Sequence, residues 1–248
     1  HADFRVNDAA GESLFLVRPD LSVADAVVNY PRQEPDASYG RVGDYVTSGY
    51  FTEPTPGAAN ATNAYQGFVA DTSFSIDRGF FDASQQVLIS CATSNVVIRY
   101  TTDGSTPTLA NGMTATGAVT IAQTTVLRAQ AFADGLMPSD TDTQSYLFVD
   151  DLLVQQPTGS APPGWPSGSV NGQVYQYGMD PDVYAQHSLP AMRAALTNIP
   201  TFSLVTDLEH LTDPDIGIYS NAENRGRDWE RPVSVEVLDD LRRRPGII

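Results

Sequence analysis

The densest set of side chains able to do chemistry is Arg225-Gly226-Arg227-Asp228-Trp229-Glu230-Arg231-Pro232, where five charged groups surround one tryptophan. Guanidinium forks there could grip an anionic ligand, with Trp229 as a stacking surface. The same residues have a structural reading, in which Asp228 and Glu230 pair the arginines while Trp229 fills a core. Arg227, Asp228, Trp229, Glu230 and Arg231 therefore stand as a ligand-binding or structural cluster. Three aspartate pairs come next: Asp140 with Asp142, Asp180 with Asp182, and Asp213 with Asp215. Alternating carboxylates on a loop can offer oxygens to calcium, but none of the three continues into an EF-hand spacing. Asp-Pro-Asp is equally a turn and helix-entry device. No GxSxG, P-loop, HExxH or GxGxxG is present, and His1, His187 and His210 are scattered. No catalytic, cofactor-binding or metal-ligating residue is assigned.

Composition narrows the setting for these groups. The chain has 248 residues, 14 basic and 30 acidic side chains and a net charge of −16, spread evenly along its length. A uniformly acidic surface repels phosphate backbones, which excludes nucleic acid as a partner. All the basic side chains are arginine; lysine is absent. A single cysteine, Cys91, excludes an internal disulfide framework. No apolar run is long enough to span a membrane, and a hydrophobic content of 41% suffices for packed cores. The chain starts at His1 with no charged-then-apolar leader, and Arg242-Arg243-Arg244 near its end breaks the style of what precedes it. Both ends read as those of a fragment.

The elements that position these residues are mostly strands. Leu14–Val17 and Ala26–Val28 are strand-length apolar runs between turn residues. Glu53-Pro54-Thr55-Pro56-Gly57 removes ladder donors and marks an exit, with Ala58 to Ser73 as a linker. Val87, Ile89 and Cys91 alternate with Leu88, Ser90 and Ala92. Val96, Ile98 and Tyr100 alternate with Val97, Arg99 and Thr101, then Asp103-Gly104 turns the chain. Leu127, Ala129 and Ala131 alternate with Arg128, Gln130 and Phe132 up to Asp134-Gly135, and Gln144–Val149 reads as a closing strand. Turn signals at this spacing predict a small antiparallel sandwich. Residues 155–172 have linker composition, with Trp165 expected to pack on a neighbour. Ser188 caps one predicted helix carrying a Leu189, Met192, Leu196, Ile199 stripe. Thr201–Val205 and the alternating Val233, Val235 and Val237 read as strands.

Ile98-Arg99-Tyr100-Thr101-Thr102-Asp103-Gly104-Ser105-Thr106-Pro107-Thr108, with Leu127-Arg128-Ala129-Gln130-Ala131 and Gly135, resembles the chitobiase/β-hexosaminidase C-terminal-type domain. That resemblance covers about residues 75–149 and implies an immunoglobulin-like accessory sandwich of secreted bacterial proteins. Gln173 to Asp182 (QVYQYGMDPD), Ile199 to Asp207 (IPTFSLVTD), Gly217-Ile218-Tyr219 and Gly226 to Glu236 (GRDWERPVSVE) resemble the opening of a CotH-type domain. This family, named for spore-coat proteins, includes atypical secreted protein kinases. Ser38-Tyr39-Gly40-Arg41 and Phe51 to Asn60 (FTEPTPGAAN) are similar to the closing half of a lamin-tail domain.

The expected fold is mainly β: two small immunoglobulin-like units, the first partial, then an incomplete α+β segment. The expected divisions are a lamin-tail-like part at 1–60, a linker at 61–73, the chitobiase-like sandwich at 74–149, a Pro/Gly/Ser-rich linker at 150–172 and the truncated start of a CotH-like domain at 173–248. The resemblances imply a non-catalytic piece of a modular exported bacterial protein whose parent carries a CotH-like kinase domain, with the β modules as spacers. ATP and a divalent metal are implied for that parent, but the family's residues for them lie further on, and no cofactor is expected in this piece. The alternative is a carbohydrate-binding or adhesion module using exposed aromatics such as Tyr100 and Phe132. The expected partners are cell-surface glycans or neighbouring domains, and the expected place is extracellular or at the cell surface.

Overall fold

The computed structural model describes residues 9–43, 46–154, 159–162, 164–170 and 172–238. Arg242–Arg244, and residues 155–158, 163 and 171 of the expected linker, lie outside the described residues. The chain is mainly β and divides into two compact units.

The first unit takes residues up to Phe68 together with Ala133–Met137. It holds two antiparallel ribbons, β1 (Leu14–Val17) with β2 (Val23–Val27), and β3 (Ser38–Arg41) with β4 (Ser48–Phe51). The second predicted run therefore starts earlier than the apolar residues alone suggest. Leu14 to Val17 are all exposed, and the buried centre lies instead at Tyr30, Tyr50 and Phe51. Tyr50 packs against Tyr39 and edge-on against Phe68, and exchanges backbone hydrogen bonds with Tyr65 at 2.9 Å. Tyr65 and Phe68, within the stretch expected as a linker, pack on or bond to Tyr50.

In the second unit, β5 (Thr72–Phe74), β6 (Gly79–Phe80), β7 (Gln85–Val87), β8 (Ile89–Cys91), β9 (Val97–Thr101), β10 (Met113–Thr114), β11 (Val119–Ile121), β12 (Thr125–Phe132) and β13 (Asp142–Leu147) form an immunoglobulin-like sandwich. One sheet has the order β10-β9-β12-β13-β6, faced by the pairs β11-β7 and β5-β8. The pairing is antiparallel except between β13 and β6, which run parallel. The run predicted as one strand around Val87 divides at Leu88, whose backbone bonds Ser75 instead; β7 then pairs with β11 and β8 with β5. Val87, Val119, Ile121, Leu127, Tyr146 and Phe148 form the core, and the Tyr146 hydroxyl donates to the Ile76 carbonyl at 2.6 Å.

The predicted closing strand stops at Leu147, because α1 (Val149–Val154) begins there with Asp150 and Asp151 in its first turn, where acids favour a helix start. Asp151 accepts from the Thr124 amide at 2.7 Å, tying α1 to the sandwich. A small ribbon, β14 (Ser169–Val170) with β15 (Gln173–Val174), follows. Then come α2 (Pro181–Gln186), capped by Asp180, and α3 (Leu189–Asn198), capped by Ser188, each with proline in its first turn. Met192 and Leu196 of the predicted stripe pack with Val149 and Leu153, whereas Leu189 and Ile199 remain exposed.

The last elements are β16 (Thr201–Val205), α4 (Leu208–Thr212), a single 3₁₀ turn at Arg227–Trp229 and β17 (Ser234–Leu238), with β16 and β17 antiparallel. Directly opposed residues share a face, so Phe202 with Val237 and Leu204 with Val235 form one side, and Ser203 with Glu236 lies on the other. Burial is inverted relative to the usual expectation. Phe202 and Leu204 are 64% and 68% exposed, while Glu236 is 1% exposed. A polar residue is buried when its hydrogen bonds are met there, and the sandwich meets them.

Two substitutions separate these environments. Leu127→Ala should cost about 2–5 kcal/mol in urea unfolding, while Phe202→Ser should stay within about 0.5 kcal/mol of wild type.

Candidate functional site

The segment from Thr101 to Gly112 is held by its own side chains. Asp103 accepts from the Ser105 amide and hydroxyl at 3.0 and 2.6 Å, and these bonds hold its carboxyl below its ordinary pKa. Thr101 donates to the Ser105 carbonyl at 2.6 Å, and Asn111 donates to the Thr106 carbonyl at 2.8 Å. Gly112 has φ +90°, and a Cβ there would lie 2.4 Å from the Tyr100 carbonyl oxygen, so only glycine fits.

This scaffold points Thr106 and Arg128 at Asp207. The Asp207 carboxylate accepts from the Thr106 amide and hydroxyl, each at 2.6 Å, and lies 3.4 Å from the Arg128 guanidinium. Asp207 sits at the N-cap of α4 but its side chain makes no cap bond there; the carboxylate is committed to the sandwich. Arg128 also donates to the Gly104 carbonyl at 2.9 Å. Burial lowers the pKa of Arg128, and the Asp207 charge opposes that shift. The sequence pattern places Arg128 opposite the core face, and it is buried all the same because the C-terminal segment covers that face.

A second contact lies on β13. Glu236 accepts from the Ser145 amide at 3.2 Å and its hydroxyl at 2.5 Å, and Arg78 pairs with it at 3.2 Å. Ser145 and Ser203 hydroxyls share a bond at 2.7 Å. Since β6 pairs with β13 only from Tyr146 onward, Glu236 satisfies a backbone donor that the sheet leaves open. Together, Asp207 and Glu236 fasten residues 201–238 to the sandwich through two carboxylates.

In the Arg225–Pro232 cluster the structure sets out the contacts of Arg231. Arg231 donates to the carbonyls of Ile216, Asp228 and Glu230 at 2.6 to 3.0 Å and lies 5.5 Å from the Trp229 ring centre. Its guanidinium is thus consumed by backbone oxygens, whereas the structural reading makes Asp228 and Glu230 its partners. Arg227, Asp228 and Glu230 are exposed and Trp229 is partly covered. Arg231 therefore pins the loop from Asp213 to Tyr219.

Two of the aspartate pairs are engaged locally, and Asp142 reaches a distant strand. Asp180 accepts from the Asp182 amide, Asp213 accepts from the Asp215 and Ile216 amides, and Asp142 accepts from the Thr72 hydroxyl at 2.5 Å. Burial raises the Asp142 pKa, partly offset by that bond. Among the described residues no three His, Cys, Asp or Glu side chains gather as a metal would require. A groove of about 660 Å³ is lined by Arg78, Phe80, Asp82, Val149, Arg193 and Leu238. Its charges are already paired, Arg193 with Asp82 and Asp150, and Arg78 with Glu236.

The aromatic candidates also move. Tyr100 packs against the sandwich core, with its hydroxyl 3.7 Å from Met113 Sδ, and Phe132 is partly buried; neither is an open platform. A run of rings instead links Trp165, Tyr177, Tyr175 and Tyr219. Tyr175 and Tyr177, two apart beside β15, were the available signal, together with the tryptophan in the Pro-rich stretch.

Residues 76–143 match the chitobiase/beta-hexosaminidase C-terminal domain family. An endoglucanase from Clostridium saccharobutylicum is 37% identical over 65 residues, which is 26% of this chain and 14% of that protein. The chain thus covers about a seventh of the length of the curated relative it matches. No solved structure matches.

Removing the buried carboxylate tests the clamp. Glu236→Ala leaves the Ser145 amide and Arg78 without their acceptor and should cost about 2–4 kcal/mol in chemical denaturation. Glu236→Gln, which keeps an acceptor oxygen, should cost less.

Proposed function

We propose that this chain is a non-catalytic, carbohydrate-directed accessory part of a modular exported protein. The observation that carries this reading is the family match over residues 76–143, on a sandwich whose signature segment is occupied by its own chain through Asp207. A segment committed in this way serves as a base for residues 201–238 rather than as an open catalytic cleft. The endoglucanase relative is in keeping with a carbohydrate setting, and cell-surface or matrix glycans are the partner class. Among the described residues no helix is long and apolar enough to cross a membrane.

The CotH-type resemblance, carried by four ordered segments between Gln173 and Glu236, adds a second reading in which the parent also holds a phosphoryl-transfer domain. The lamin-tail resemblance of residues 38–41 and 51–60 adds a further β spacer to that architecture. Neither changes the role proposed for the sandwich.

Purified chain should sediment with insoluble cellulose or chitin and release no reducing sugar from either. Hydrolysis by the chain, or complete recovery in the supernatant with both polymers, would overturn the accessory reading.

A further inference from the structure

We propose that Trp165, Tyr177, Tyr175 and Tyr219 form a stacking site for a strand of neutral polysaccharide. The proposal rests on the carbohydrate-directed reading above and gives that reading a location. Ring centres lie 5.9 Å apart from Trp165 to Tyr177, 5.8 Å from Tyr177 to Tyr175 and 5.5 Å from Tyr175 to Tyr219. Each step is within the range in which aromatic rings hold one another's orientation. The two end rings are open, Trp165 being 45% and Tyr219 40% exposed, while the two middle rings are partly covered. This pattern gives fixed inner rings that support accessible outer ones.

The anchoring of the row argues for a built site. The Tyr177 hydroxyl donates to the Pro166 carbonyl at 2.7 Å, next to Trp165. At the other end, Arg231 grips the Ile216 carbonyl and so holds the loop that presents Tyr219. Arg231 is a positioning residue for this site, which gives the charged cluster found in the sequence a role it could not reveal alone.

The chemistry of the row selects the ligand class. A pyranose ring offers an apolar C–H face to an aromatic surface and hydroxyls at its edge, matching rings that combine an apolar body with a phenolic tip. The Tyr175 hydroxyl is shielded and has no hydrogen-bond partner among the described residues, an unmet polar group inside the row. Burial, with the neighbouring Tyr219 and Tyr177 phenols, raises the Tyr175 pKa. None of the four side chains carries a charge at neutral pH, and the chain's net charge of −16 repels polyanionic glycans. Polyanions are therefore disfavoured, and the apolar ring faces select the C–H face of an uncharged pyranose strand.

The test uses the intact chain and depletion isotherms on insoluble cellulose and on chitin. Trp165→Ala and Tyr219→Ala should each weaken binding to the retained polymer by about tenfold, and the double variant should abolish retention. Each end ring also packs on an inner one, so each single variant should lose no more than a few degrees in thermal unfolding and still unfold cooperatively. Phe202→Ala, an exposed ring elsewhere, should bind as wild type does. In a Trp229→Phe background, a soluble oligosaccharide of the retained polymer should shift the emission of Trp165. Undiminished retention of the Trp165 and Tyr219 variants would overturn this location while leaving the carbohydrate reading in place. Failure of the wild type to bind either polymer would overturn both.

Discussion

The structure of the second unit turns on a carboxylate buried in a place where sequence pattern puts an exposed one. Glu236 lies on the inner face of a two-stranded ribbon whose outer face carries Phe202, Leu204, Val235 and Val237. A buried charge is tolerated only with a full set of partners. Here the Ser145 amide and hydroxyl and the Arg78 guanidinium supply that set. The geometry is specific, because the Ser145 donor is available only where β6 leaves the β13 edge open. Asp207 repeats the device just beyond the end of β16, where Thr106 and Arg128 receive it.

This arrangement gives the recognisable segment of the sandwich a structural task. Its most recognisable residues, from Thr101 to Thr108 and Arg128, build a rigid turn whose outward donors are consumed by the C-terminal segment. Hydrophobic burial contributes at Val205 and Leu238, but the direction of the contact is set by carboxylates and their donors. Charge-assisted hydrogen bonds are well suited to that purpose, since they fix register as well as adding energy. The sandwich and residues 201–238 then behave as one base, on which loops and aromatic side chains can be displayed.

Much of the sandwich is legible in the amino-acid pattern. Alternation at Leu127, Ala129 and Ala131 marks the core face, Asp103-Gly104 and Asp134-Gly135 mark turns, and Ser188-Leu189-Pro190 marks a capped helix. Other features are invisible there for physical reasons. The division of the strand at Leu88 depends on a backbone partner, Ser75, thirteen residues upstream. Burial of Arg128 depends on a carboxylate that is distant in sequence. The valines of β17 announce a strand but point to the wrong face, because period-two alternation does not say which side meets the core. The cluster at Arg227 to Arg231 is dense in charge, yet its central guanidinium spends its donors on carbonyls, and carbonyls leave no mark in a sequence. The aromatic row shows no periodicity because its four rings come from three separate stretches.

The central claim is that residues 201–238 fold onto the sandwich as part of one cooperative unit, held by Glu236 and Asp207. Native-state hydrogen exchange of the intact chain tests it most directly. Backbone amides bonded between β16 and β17 should open with the same free energy, and the same denaturant dependence, as those bonded between β12 and β13. Exchange of the β16–β17 amides through a separate, much lower-energy opening, with the β12–β13 amides still fully protected, would contradict the account.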